Sequence, residues 1–180
     1  MLKIVIPPRE GFDNDKQEFV HFPGQTLHLE HSLVSISKWE AKYHKPFLGK
    51  DKKSNKELVD YVKCMTITQN ISDETYSFLT AENFTEINAY IGDSMTATWF
   101  TNLDKATHSS EQITSELIYY WMIACEIPFE CQRWHLNRLM TLIRVCNAKN
   151  GKQKKMSKAD TLKRNASLNA ARRAKLHTKG

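Results

Sequence analysis

The sequence predicts a mainly helical α+β fold. It has a small N-terminal antiparallel sheet or hairpin, a helical body containing a buried αα-hairpin, and a basic C-terminal helix. Three observations predict it. Apolar residues alternate with polar ones only within the first thirty residues, the period-two signature of a strand. From residue 31 onward they recur every three or four residues, the period of an amphipathic helix. Residues 151–180 carry ten Lys/Arg against one acid, Asp160, and no aromatic, so they stand outside the core.

With 180 residues, 41% of them hydrophobic, the chain is long enough to bury a real core. The expected division is a β segment over 1–30 packed on the body, a helical body over 31–148, and a basic linker and helix over 149–180. Net charge is +6, yet the first 150 residues hold 16 Lys/Arg against 19 acids. The molecule is thus a mildly acidic globule with a basic tail, and such tails contact nucleic acid, acidic proteins or anionic surfaces. Four cysteines without a CxxC spacing are expected as reduced thiols of a cytoplasmic protein. The opening MLKIVIPPRE has an apolar run too short for a signal peptide. No apolar run approaches the ~20 residues that span a bilayer.

Taken in order, LKIVI (2–6) reads as a strand stopped by Pro7-Pro8, and TLHLEH (26–31) as a half-buried strand. Phe19-Val20-His21-Phe22 supplies a third, ended by Pro23-Gly24. Ile36, Trp39, Tyr43 and Phe47 then mark a helix, capped by Ser32 or Ser35 and ended by Pro46. Ser54 with Glu57 three residues on is a capping box; Leu58, Tyr61, Val62 and Met65 give that helix its apolar face. Two short helices are expected over 73–79 and 81–91, the second opened by Thr80. Gly92 breaks the pattern, and MTATWF (95–100) reads as strand or turn.

The stretch ELIYYWMIACEIPFECQRWHLNRLMTLIRVCNAKN (116–150) is the densest in the chain. Its first helix, 113–125, is apolar nearly all round, which predicts burial on most sides. Pro128 suits the first turn of a second helix running to Cys146. A turn of three or four residues packs the two antiparallel. With residue 127 as the centre, Glu116 opposes Arg138, Tyr119 opposes His135 and Tyr120 opposes Trp134. The expectation is a structural core of Trp39, Glu116, Tyr120, Trp121, Trp134, His135 and Arg138. Within it Glu116 and Arg138 form an ion pair and His135 is hydrogen-bonded.

A metal centre is the sharper alternative. Cys131 and His135 stand at i, i+4, but Cys146 lies about 16 Å further along a helix at ~1.5 Å per residue. Only Cys125 would reach. A Cys131/His135 nucleophile lacks an orienting acid and an oxyanion hole. No glycine-rich phosphate loop occurs. No cofactor, metal or catalytic residue is therefore expected.

Ser157 is a good N-cap for a C-terminal helix with Asp160 in the capping-box position. Its apolar side is thin, so it is marginal alone and orders against a partner or another copy of the chain. Lys154, Lys155, Lys158, Leu162, Lys163, Arg164, Arg172, Arg173 and Lys175 are the candidate partner-binding residues. Without aromatics to stack on bases, nucleic-acid contact is expected to be nonspecific at most.

LEHSLVSISKWEAKYHKPFL (29–48), the stretch 113–150 and NASLNAARRAKLHTKG (165–180) resemble a family of small proteins of tailed bacteriophages. These are encoded among virion-morphogenesis genes and described as tail assembly chaperones. The resemblance covers most of the chain and is most specific around Trp39, Trp121, Trp134-His135 and the Arg172-Arg173…Gly180 ending. It implies a non-enzymatic protein of the host cytoplasm, absent from the finished virion. Such a protein binds the long, helical tape-measure protein or other tail components while the tube polymerises. The rival readings are a structural virion protein, as a head–tail connector or minor tail protein, and then a nucleic-acid-binding accessory protein.

Overall fold

Four strands open the chain: β1 (Leu2–Ile6), β2 (Arg9–Asp13), β3 (Glu18–Phe22) and β4 (Gln25–Leu29). β1 pairs antiparallel with β4, and β2 with β3. Ile6 faces Gln25 and Arg9 faces Phe22, so both ladders share one register and form a single hairpin with a gap. The gap falls where Pro7-Pro8 opposes Pro23-Gly24. Three prolines there donate no N–H to the ladder. Gly24 has φ +75°, and a Cβ on it would lie 2.7 Å from the Pro8 nitrogen, so glycine is required. β2 was not expected; REGFD lacks alternation, and its pairing with β3 is what makes it a strand.

The structure is a computed structural model that describes residues 1–13, 17–100, 112–150 and 158–176. The fold class is mainly helical α+β, as the sequence predicts. The helices are α1 (Leu33–Tyr43), α2 (Asn55–Met65), α3 (Ala81–Gly92), α4 (Ser115–Ala124), α5 (Leu136–Asn150) and α6 (Lys158–Leu176). Two 3-10 turns, Asp73–Phe78 and Phe129–Arg133, lie between them. The chain forms two compact units, Met1–Asn147 and Ala148–Gly180.

The caps read from the sequence at Ser32/Ser35, Ser54 and Thr80 are in place. The Ser32 Oγ accepts from the Ser35 N–H, and the Ser35 Oγ accepts from the Ser32 N–H, so both named serines act together. Ser54 and Glu57 exchange the same pair of bonds, and Thr80 does so with Asn83. Each satisfies orphan N–H groups of a first turn. α1 stops earlier than Pro46. His44 takes a left-handed conformation at φ 52° and its N–H returns to the Glu40 carbonyl. Phe47 therefore lies beyond the helix, where its ring stacks on Tyr61 at 3.9 Å.

α1 runs through the middle of the first unit. Leu33, Ile36 and Trp39 are fully buried among Ile4, Ile6, Leu27 and Leu29 of the hairpin and the inner faces of α2, α4 and α5. The Trp39 Nε1–H donates to the Glu57 carbonyl at 2.9 Å, which satisfies the one polar atom of that ring. The outer edge of β4 is covered: the Ile67 N–H donates to the His28 carbonyl and the Glu30 N–H to the Met65 carbonyl. Covering this edge removes a site of stray strand pairing.

Candidate partner-binding surfaces

Residues 125–135 decide what the dense stretch is. α4 and α5 are both present, but these eleven residues join them, in place of a three- or four-residue turn. The continuous helix expected from Pro128 is replaced by a 3-10 turn, an extended Trp134 (φ −70°, ψ 161°) and a new start at Leu136. The cause is tertiary. His135 forms a β-bridge with Ser32, and the Leu136 N–H donates to the His31 carbonyl at 2.7 Å. Cys131 and His135 consequently do not share a helix face.

His135 is 5% exposed and both its ring nitrogens are engaged. Nε2 lies 3.0 Å from the Tyr90 carbonyl, and Nδ1 accepts from the Asn137 N–H. A carbonyl only accepts, so Nε2 carries the proton. The ring thus caps the start of α5 and the end of α3 at once. Asn137 extends the junction, its Nδ2 donating to the Ile91 and Asp93 carbonyls at 3.1 and 2.6 Å. These are orphan carbonyls of a helix C-terminus. The His31 ring sits 5.1 Å from that of His135 and its Nδ1 shares a 2.5 Å hydrogen bond with the Tyr61 hydroxyl. Burial, reinforced by His135, holds the His31 pKa down at about 4. Burial likewise raises the Cys131 thiol, which suppresses its thiolate. Among the described residues, no three His, Cys, Asp or Glu side chains form a metal-binding group.

Trp39 and His135 are core residues, and Trp121 and Trp134 are half-buried against the core. Three other expected core residues are not. Glu116 and Arg138 are exposed and form no ion pair. The longer connection abolishes the register that would have opposed them. Glu116 bonds instead to the first turn of its own helix, which holds its carboxyl below the usual range. The Arg138 guanidinium stacks 4.2 Å over the Trp134 ring. Tyr120 is 62% exposed and Ile123 is 61% exposed, so α4 is not buried on most sides. Its inner face is Ser115, Ile118 and Met122.

The sequence reading missed Glu40. It is buried, and its two oxygens accept from the Phe47 N–H at 2.7 Å and the Ser115 N–H at 2.8 Å. One carboxylate thus fixes the loop after α1 and the N-terminus of α4, where a negative charge is favoured by the helix dipole. No local pattern marks it.

Two exposed surfaces are candidates for partner contact. An open groove of about 490 Å³ lies between α2 and α3, lined by Leu58, Val59, Val62, Phe84, Ile87 and Ile91 among others. In the second unit, every residue of α6 from Leu162 to Leu176 is exposed, including Lys163, Arg164, Arg172, Arg173 and Lys175. Leu162, Leu168 and Leu176 are 69, 46 and 68% exposed. Lys158 opens the helix; Lys154, Lys155 and the expected cap Ser157 lie outside the described residues. No helix among the described residues is long and apolar enough to cross a membrane.

Comparison of the chain with protein-family models, with curated proteins and with solved structures finds no match.

Proposed function

We propose that this chain is a non-enzymatic tail assembly chaperone of a tailed bacteriophage. It works in the host cytoplasm and holds the tape-measure protein, or another long helical tail component, until the tube forms around it. The observation that carries the reading is α6: a 19-residue helix in its own compact unit, with all three leucines exposed and six Lys/Arg against one acid. A helix that buries so little by itself is marginal and gains its order from what it binds. Leucines spaced along a charged helix are the means by which one helix engages another. The apolar groove between α2 and α3 supports the same reading, since it offers a partner an apolar surface on the body. The resemblance of the blocks around Trp39, Trp121 and Trp134-His135 to the phage family points to the client.

The test is co-expression with the long tail protein encoded beside it, followed by pull-down through a tag on this chain. Retention of the long protein, lost on Leu162→Asp with Leu176→Asp, is the expected result. Failure to retain it, together with stoichiometric recovery of this chain from purified particles, would establish the structural-protein reading instead.

A further inference from the structure

The outer face of α4 is apolar and uncovered. A helix apolar on nearly every side is ordinarily buried on every side, yet Tyr120 and Ile123 face solvent. Phe129, in the turn after α4, is also 53% exposed, its ring 6.4 Å from that of the half-buried Tyr119. Large exposed apolar side chains grouped on one short segment mark an interface. The segment that carries these side chains has one sign of charge, although Lys45 of the loop after α1 lines a pocket together with Glu116. Between Gln112 and Gln132 there are three acids, Glu116, Glu126 and Glu130, and no lysine or arginine. All three are exposed, and no ion pair among the described residues engages them. Glu116, Tyr120 and Ile123 stand at i, i+4 and i+7, in one line along the helix.

This pattern specifies its ligand. Nucleic acid and anionic headgroups are repelled by the three carboxylates. An apolar helix without cations would desolvate those carboxylates and leave them unpaired, at a cost. A helix that carries both leucines and cations satisfies the face and its rim together. The chain encodes one such helix, α6, with net charge +5 over Lys158–Leu176 and exposed Leu162, Leu168 and Leu176.

We infer that the Tyr120–Ile123–Phe129 face receives α6 of a second copy of this chain, so that the client-free protein self-associates. Body and helix are different surfaces, so the contact closes as a reciprocal dimer when each molecule gives its helix to the other. Attraction between the acidic rim and the basic helix makes the association salt-sensitive.

The test is sedimentation of the full-length chain over a concentration series. The expected result is a shift from 20.9 kDa to twice that mass, weakened at least tenfold by Ile123→Asp and equally by Leu162→Asp. The second variant lies in the other compact unit, so its loss is not an effect of a misfolded body. Charge reversal gives the sharper outcome. Glu126→Lys/Glu130→Lys in one chain and Arg172→Glu/Lys175→Glu in another each abolish self-association, and their equimolar mixture restores it as a heterodimer. A chain that is monomeric throughout overturns the inference. So does an oligomer indifferent to both Ile123→Asp and Leu162→Asp, and so does a mixture that stays monomeric. No client enters the experiment, so its outcome is read separately from that of the proposed function.

Discussion

His31 and His135 sit edge to face in the centre of the molecule, where beta-strand, helix starts and helix ends meet. The unfolded chain takes up a proton on His31 near its ordinary pKa of 6.5, whereas the folded chain does so only at about 4. Between those values the unfolded state binds more protons, so stability is full above pH 6.5 and falls as pH drops toward 4. From pH 7 to pH 4.5 this one group accounts for about 2 kcal/mol. Denaturant titrations of the wild type and of His31→Asn at the two pH values isolate it. The wild type is expected to lose about 2 kcal/mol more than the variant; equal losses would remove His31 from the acid response.

At the scale of elements, Glu40 has a comparable structural role. It ties α1, the Pro46-Phe47 loop and the first turn of α4 through two charge-assisted hydrogen bonds. Glu40→Ala leaves two N–H groups without acceptors, and a loss of about 3 kcal/mol is expected in urea unfolding. A loss below ~1 kcal/mol would mean that water or a shift of α4 replaces the carboxylate. The capping residues Ser32, Ser54 and Thr80 are legible in the sequence because capping is local chemistry, complete within four residues. The period-3.6 faces of α1 and α2 are legible for the same reason, and so is the pairing potential of LKIVI with TLHLEH. The break at Trp134-His135 is not. It is set by a bridge to Ser32 on the far side of the sequence, which no window of neighbours contains. Tyr120 and Ile123 show the converse: hydrophobicity marks α4 as a helix that seeks burial, but not which element of which molecule covers it.

For the whole molecule, the contrast is between a body whose buried polar side chains are hydrogen-bonded, His28 Nδ1 excepted, and a second unit whose helix is exposed from Leu162 to Leu176. In the body, His31, Ser35, Glu40, Asp60 and His135 are all buried and all hydrogen-bonded. Lys42 and the Tyr43 hydroxyl hold the Asp60 carboxyl below its usual range. That is the profile of a framework with one fixed arrangement. α6, in the second unit, has exposed leucines, and the proposed function gives binding to it and support to the tryptophan-rich stretch. The basic character of the tail is plain from composition, whereas its candidate binding residues are legible only as a set, because a helix exposed from Leu162 to Leu176 offers no burial by which to rank them. The most direct measurement is the soluble fraction of the long tail protein co-expressed with residues 1–150 in place of the full chain. The account predicts a truncated chain that is folded and soluble beside a client that precipitates; a client kept in solution by residues 1–150 alone would contradict it.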